Sequence, residues 1–363
     1  MPKQNTTRSP VVVTGSSGLI GSKICSSLSR SYTVVAIDVK EPEDLPDNVL
    51  WYKCDLTDDD SVRGTFERID EQFGKRIISV VHLAAFYDFS GEPNDLYCKL
   101  TVEGTRRVLQ NLSSFQVEQF IFSSSLLVMD PVDSYEEKLT EQSDVNAEWD
   151  YPESKLRAEK VIREEPGEIP TVILRIAGVY TNNCQSLPIS QHIRRIYEKD
   201  FESYFFPGDP DHGQPFIHLD DVVSCINHTI AKRKELSAQE LFLIAEPDVM
   251  SHEELQDKIG KLLHGKEWPT IRIPKTVAKA GAWLKEKLID EDQFIKPWMI
   301  PLADDHYPVE ISAAINKLNW EPKHRLRETL PRIIKLLKDD PKRWYKLQNL
   351  QWDKADHSDS AAA

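Results

Sequence analysis

The segment Val11-Val12-Val13-Thr14-Gly15-Ser16-Ser17-Gly18-Leu19-Ile20-Gly21 constrains this chain more than any other. Four residues of strand character run into a glycine turn, and the apolar residues after it restart at helical spacing. A strand that must turn at once into a helix belongs to a strand–helix–strand unit, whose strands pair in parallel. In Gly15-x-x-Gly18-x-x-Gly21 the first glycine permits the tight turn. The second lets backbone approach a bound group, and the third lets helix and strand pack closely. Amides at the start of such a helix face a phosphate well, so the loop can cradle a dinucleotide pyrophosphate. Taken alone, three glycines at this spacing also fit a plain strand–turn–helix.

The same rhythm continues. Strand-like runs lie at Pro10–Thr14, Tyr32–Ile37, Val49–Lys53, Ile77–Leu83, Gln119–Ser123 and Thr171–Ile176. Helical patterns lie between them at Leu19–Leu28, Asp58–Phe73, Asn94–Leu112 and Pro152–Glu164. This alternation predicts an α/β fold: a Rossmann-type, doubly wound parallel sheet over residues 10–180, with ligands at the carboxyl ends of its strands. After Tyr180 the alternation loosens. Helices are expected at Leu187–Lys199, His252–Leu263, Lys275–Leu288 and Leu326–Leu337, with short strands at Leu241–Ala245 and Thr270–Ile273. Residues 181–345 are therefore expected to form a smaller, mixed substrate-binding lobe, with 213–246 returning to the first domain. Residues 1–9 read as a polar tail, and 346–363 as a second tail that is disordered at its end.

The chain has 363 residues and a net charge of −14, which argues against nucleic acid or an anionic membrane as partner. No apolar run has the length of a membrane span, and Met1–Pro10 lacks an apolar leader. The five cysteines, Cys25, Cys54, Cys98, Cys184 and Cys225, are scattered and odd in number. They predict neither disulfides nor a zinc site, and fit a reducing, cytoplasmic setting. No metal site is expected. None of the five cysteines has the basic neighbours of a nucleophile. His218 and Asp220 are read as a structural pair at a sheet edge rather than a charge relay.

Asp38, at the end of the second strand, can accept hydrogen bonds from ribose hydroxyls and would repel a 2′-phosphate, so NAD is favoured over NADP. Lys40 softens that preference. Asp55 and Leu56, after the third strand, are placed beside the adenine ring. Tyr151 and Lys155 stand at i and i+4 of one helix and share a face. An ammonium there is expected to lower the phenol's pKa and fit Tyr151 for general acid–base work. Ser123-Ser124-Ser125 ends the fifth strand at the same edge. Ser125 is chosen as the donor to the substrate oxygen, with Ser124 as the alternative.

This combination resembles the extended short-chain dehydrogenase/reductases, a group that includes nucleotide-sugar epimerases and 3β-hydroxysteroid-dehydrogenase-like enzymes. The resemblance spans roughly residues 10–340. It rests on Thr14–Gly21, on His82-Leu83-Ala84-Ala85 and on Ser125, Tyr151 and Lys155 in order. Leu174–Tyr180 (with Ile176 in place of a proline), Phe216–Val222 and Leu318–Pro322 complete it. It implies a Ser-Tyr-Lys triad and NAD held by Gly15, Ser17, Gly18, Leu19, Ile20, Gly21, Asp38, Asp55, Leu56, Leu83, Ala84, Ala85, Tyr151, Lys155 and Ile176. It also implies a homodimer built on Asn94–Leu112 and Pro152–Glu164, where Leu96, Leu100 and Leu109 form an apolar stripe.

Departures from the family pattern bear on substrate. Gln214 stands where the epimerases carry a phosphate-gripping arginine, and Pro301–His306 shows no second one. Arg194, Arg195 and Arg272 are the available substitutes. Thr101 stands where the family often has asparagine. Phe86-Tyr87-Asp88-Phe89 and Tyr204-Phe205-Phe206 can wall a hydrophobic pocket or pack in the core. The leading expectation is an NAD-dependent oxidoreductase acting between a secondary alcohol and a carbonyl. A nucleotide-sugar epimerase or dehydratase with tightly held NAD is the second, and a non-catalytic dinucleotide sensor or scaffold the third.

Overall fold

Seven strands build the central sheet: β1 (Val11–Thr14), β2 (Val34–Asp38), β3 (Val49–Lys53), β4 (Ser79–His82), β5 (Phe120–Ser125), β6 (Thr171–Ile176) and β7 (Gln239–Ile244). Their order is β3-β2-β1-β4-β5-β6-β7, every pair is parallel, and the chain reverses direction across the sheet between β1 and β4. The structure is a computed structural model that describes residues 9–88, 90–134, 136–288 and 295–352, with backbone alone at 283–288.

Both faces of the sheet are buried, as its near-continuous apolar strands require. Val11 and Val13 join Ile24 and Leu28 of α1 (Leu19–Leu28) in one core cluster. Val12, one residue out of phase, points the other way. It joins Phe66 and Ile69 of α2 (Asp59–Phe73), Val108 and Leu112 of α3 (Glu103–Leu112), and Ala158 and Ile162 of α4 (Asp150–Glu164). The period-two alternation of a strand thus produces the two-sided winding. Asp58 caps α2 by accepting from the Asp60 and Ser61 amides, and Asp59 and Asp60 add favourable charge at its start.

The helix expected over Asn94–Leu112 is not uniform. Tyr97–Val102 forms a wider, π-helical turn before α3 begins. Inside it the buried Thr101 accepts a hydrogen bond from the Phe86 amide at 3.0 Å, and the Thr105 hydroxyl donates to the Thr101 carbonyl at 2.6 Å. The turn spends its regularity on fixing the loop after β4.

The second lobe contains α5 (Leu187–Tyr197), α7 (His252–His264), α8 (Lys275–Leu288), α10 (Leu326–Asp339) and α11 (Pro341–Leu347). Between them, α6 (Leu219–Lys232) and β7 return to the main sheet, and the short α9 (Ser312–Leu318) packs beside them. A third core cluster holds this lobe together, with Ile189, Ile193, Ile259, Trp268, Ile333, Trp344 and Tyr345 at its centre. Residues 346–352, expected as the start of a tail, are packed. Gln348 accepts from the Gln185 amide at 2.7 Å and donates to the Asn183 carbonyl at 2.8 Å, and Leu350 and Trp352 lie against the third cluster. The remainder of that tail, and residues 1–8 of the first one, lie outside the described residues. Glu246, just past β7, ties the lobes by accepting from the Tyr180 hydroxyl at 2.6 Å and the Leu326 amide at 2.7 Å. No helix among the described residues is long and apolar enough to cross a membrane.

Candidate active site

A cavity of about 1250 Å³ opens at the carboxyl edge of the sheet and runs into the second lobe. Its floor begins at the glycine turn. Gly15 sits at φ +70°, and a Cβ there would lie 2.7 Å from the Ala84 nitrogen. A Cβ on Gly21 would meet the Gly15 carbonyl oxygen at 2.1 Å. These two positions admit only glycine, because the strand, the turn and the first turn of α1 touch through bare backbone. The N-terminus of α1 opens here without a side-chain cap, so its first amides are left for a ligand. The buried Ser16 hydroxyl has no hydrogen-bond partner. Asp38 closes the turn from outside, accepting from the Ser17 amide at 2.9 Å and the Val39 amide at 2.7 Å. A cradle that any side chain would fill, a free helix N-terminus and a carboxylate at the end of β2 fit a dinucleotide.

His82 ends β4 and is fully buried. Its Nδ1 pairs with the Thr14 hydroxyl at 2.7 Å and its Nε2 with the Thr105 hydroxyl at 3.0 Å. Burial, with the Lys155 charge adding to it, pushes its pKa down to about 3. The neutral ring therefore acts as a strut joining β1, β4 and α3, and it aims Leu83 at the cavity.

The serines at the end of β5 divide by strand alternation. Ser124 donates to Glu159 of α4 at 2.6 Å, inside a buried pair in which Arg175 grips both Glu159 oxygens at 3.0 and 2.8 Å. It is committed to that network. Ser125 is turned the other way, accepts from the Leu127 amide at 3.2 Å and lies close enough to the Tyr151 phenol to favour its ionised form. Of the two candidates, Ser125 has the geometry of a donor to substrate.

Lys155 is buried on α4 and donates to the Ser123 carbonyl at 2.7 Å; its Nζ stands 5.8 Å from the Tyr151 ring centre. The expected lowering of the phenol does not occur. Burial pushes Tyr151 up to about 12, and Ser125 opposes this only in part. Lys155 is itself pushed down by burial to about 7, against the opposite pull of Glu159. The phenol is therefore protonated in the free protein, ready to donate.

Among the residues expected to form the site, Gly15, Gly18, Leu19, Ile20, Gly21, Leu83, Ser125, Tyr151 and Ile176 line the cavity. Ser17 and Asp38 flank the turn. Asp55 is exposed and tied to Thr57, accepting from its amide at 2.8 Å and its hydroxyl at 2.7 Å. Leu56 is buried in the core, in contact range of Gly104. The Ala84 backbone borders Gly15 and its side chain packs on the core cluster around Val12, and neither Ala84 nor Ala85 lines the cavity. His218 caps α6, its Nδ1 accepting from the Asp220 amide at 3.1 Å, and its ring stacks on His324 at 4.0 Å.

Of the further residues on the wall, Trp149, Trp298, His192 and His252 carried no local signature, whereas Tyr87 and Arg195 were among the candidates. Trp149 packs on Tyr151 at 5.5 Å and on Trp298 at 4.9 Å, and Tyr87 meets Tyr151 edge-on at 4.7 Å. His192, Arg195 and His252 come from α5 and α7. The two aromatic stretches split. Tyr87, Phe205 and Phe206 line the cavity, whereas Phe86 packs on Tyr97 at 4.8 Å and Tyr204 on Trp268 at 4.8 Å. Phe89 lies outside the described residues.

The model of the NAD dependent epimerase/dehydratase family matches residues 11–245. The chain belongs to this family, among the extended short-chain dehydrogenase/reductases. It is 26% identical over 303 residues to short-chain dehydrogenase/reductase family 42E member 1 of Danio rerio, covering 76% of this chain and 73% of that protein. It is 29% identical over 177 residues to the decarboxylating sterol-4-alpha-carboxylate 3-dehydrogenase erg26 of Schizosaccharomyces pombe, covering 47% of this chain and 50% of that protein. The match thus spans about half the length of the sterol enzyme. The fold is shared with the dTDP-glucose 4,6-dehydratase of Bacillus anthracis in complex with NAD, at a TM-score of 0.68 and 17% identity over 94% of this chain and all of that one. It is likewise shared with the Thermus thermophilus UDP-glucose 4-epimerase complex with NAD, at 0.67 and 18%, over 91% and 99%.

Proposed function

We propose that this protein is an NAD-dependent oxidoreductase that interconverts a secondary alcohol and a carbonyl on an apolar substrate. The observation that carries this reading is the single cavity whose wall holds the glycine turn, Ser125 and Tyr151 together, and whose farther wall is aromatic. NAD is the family's cofactor; when bound, it supplies the two-electron acceptor or donor. Gly15, Gly18 and the first amides of α1 would hold its pyrophosphate, and Asp38 its adenosine ribose. Ser125 donates a hydrogen bond to the substrate oxygen. Tyr151 gives that oxygen a proton when a carbonyl is reduced and takes it back when an alcohol is oxidised. The oxidative direction requires phenolate, which burial disfavours in the free protein and which a positive charge brought beside the ring would favour.

The epimerase reading is weaker here. Gln214 lines the cavity where a diphosphate grip belongs, and Arg194 is paired with Glu198 at 3.1 Å and Arg272 with Asp209 at 3.9 Å, which leaves Arg195 as the one substitute arginine on the wall. A homodimer across the outer faces of α3 and α4 is also proposed. Leu109 is taken up by the core and Leu100 packs against it, so Leu96, more than a third exposed, is what remains of the stripe. Light scattering reads twice 41.7 kDa if the dimer forms. Five free cysteines agree with a reducing cytoplasm.

The test is turnover. With NAD present, a panel of apolar secondary alcohols is expected to yield stoichiometric reduced cofactor, and Tyr151→Phe to cut the rate by about 10²–10⁴-fold. A Tyr151→Phe variant with wild-type turnover, or redox-neutral isomerisation of a nucleotide sugar, removes the reading.

A further inference from the structure

The cavity wall carries a cation that the reaction does not use. Among the described residues lining it, Arg195 is the only lysine or arginine. It stands one turn beyond His192 on α5, so the two share a face. Its Nε is sealed from solvent and has no hydrogen-bond partner. Among the described residues no carboxylate reaches ion-pair distance of its guanidinium. Burial disfavours its charge, and Asp200 and Glu202 oppose this only through longer-range attraction. The contrast with its neighbours is direct, since Arg194 and Arg272 both have carboxylate partners.

Among the described residues the acidic groups of the surroundings stay beyond ion-pair distance of the guanidinium. His192 stacks on His252 at 4.7 Å, and His252 stacks on Phe206 at 3.7 Å. Burial holds His192 down at about 3 and His252 well below the usual histidine range, so both rings are neutral. The cavity's other charged groups, Glu148, Glu202 and Asp305, are acidic and would repel an anion placed beside them. An unpaired guanidinium in a partly desolvated apolar wall is costly, and a carboxylate, sulfate or phosphate offers it two parallel hydrogen bonds.

We propose that Arg195 forms an anion-binding subsite, so that the substrate is an apolar alcohol or ketone carrying an anionic group remote from its reacting carbon. This rests on the oxidoreductase reading for the identity of the reacting end, but its test is a binding measurement and stands apart from turnover. A charge-assisted bond is worth about 1.5–3 kcal/mol, or roughly 10- to 100-fold in affinity.

The experiment uses the full chain saturated with NAD, with cis-parinaric acid, its methyl ester and UDP as fluorescence and thermal-shift probes. The acid is expected to bind at least about tenfold tighter than the ester. Arg195→Gln should bring the two together, and Arg195→Lys should restore most of the difference. Saturable binding of UDP that Arg195→Gln abolishes overturns the assignment of an apolar substrate, because it makes the ligand of this wall a nucleotide diphosphate. Without ligand, Arg195→Gln should melt no lower than wild type, because it removes an unpaired charge. Equal binding of acid and ester by the wild type, a preference that survives Arg195→Gln, failure of both anions to bind, or a lowered melting temperature for Arg195→Gln overturns the proposal. Failure of the oxidoreductase reading shows separately, as Tyr151→Phe turnover equal to wild type.

Discussion

The two ends of the cavity are built on different principles. At the sheet edge the wall is largely backbone: a glycine turn, the open end of α1 and the ends of β1, β5 and β6. In the second lobe the wall is side chain, with aromatic rings, the neutral His192 and His252 and, among the described residues, one cation, drawn from α5, the 201–207 segment, α7 and the 295–307 loop. Backbone recognition demands residues that leave room and a fixed spacing, which a local motif can encode. Side-chain recognition depends on which distant residues meet, and it changes with each substrate. The first end is thus common to a family, and the second belongs to this protein.

Perturbations can break or sharpen this contrast. The largest expected effect is at Lys155, whose charge is buried behind the cofactor end. Its pKa falls from 10.5 to about 7 on folding, so the folded state holds fewer protons than the unfolded one between those values. Stability should rise by a few kcal/mol as pH climbs through that window. Lys155→Met should flatten the rise and be more stable than wild type below pH 7. Thermal melts across pH would show it, and a parallel pH profile for the two proteins would refute the burial account.

Asp38→Ala should weaken NAD by about 10- to 100-fold, the worth of a charge-assisted hydrogen bond, and narrow the gap to NADP. Calorimetric titration of both cofactors measures this. If wild type binds NADP more tightly, the role of Asp38 is lost.

Gly21→Ala should cost about 1–3 kcal/mol of stability, because the new methyl meets the Gly15 carbonyl and backbone must move. Denaturant unfolding supplies the number, and NAD affinity should fall with it. An unchanged midpoint would mean that the turn is not as close as it looks.

The smallest effect is on the other side. Trp298→Ala removes one aromatic contact with Trp149 and should weaken substrate by roughly two- to tenfold. NAD binding should stay the same. Coupled loss of both would show that the two ends are not independent.

Much of the fold was legible because it is periodic. β3, β6 and α1 run over the residues expected from apolar spacing, and β1, β2 and β5 differ by a residue or two at their ends. The π-turn before α3 was not legible, since Thr101 departs from helical regularity to bind the Phe86 amide on another segment. Nor was α11, whose Trp344 and Tyr345 are anchored by a core assembled from α5, α7 and α10. Ser125 and Ser124 looked alike in sequence; Glu159 on α4 separates them.

Sequence alone determined the doubly wound sheet, the glycine turn and the order of Ser125, Tyr151 and Lys155, because each follows from short-range sterics or from spacing along one element. Tertiary structure alone decided that the phenol is raised rather than lowered and that Leu56 is core. It also decided that Arg195, and not Arg194 or Arg272, faces the cavity with no carboxylate partner among the described residues. Those outcomes depend on burial and on neighbours far away in the chain. Desolvation and charge pairing act through space, and no local pattern of residues records them.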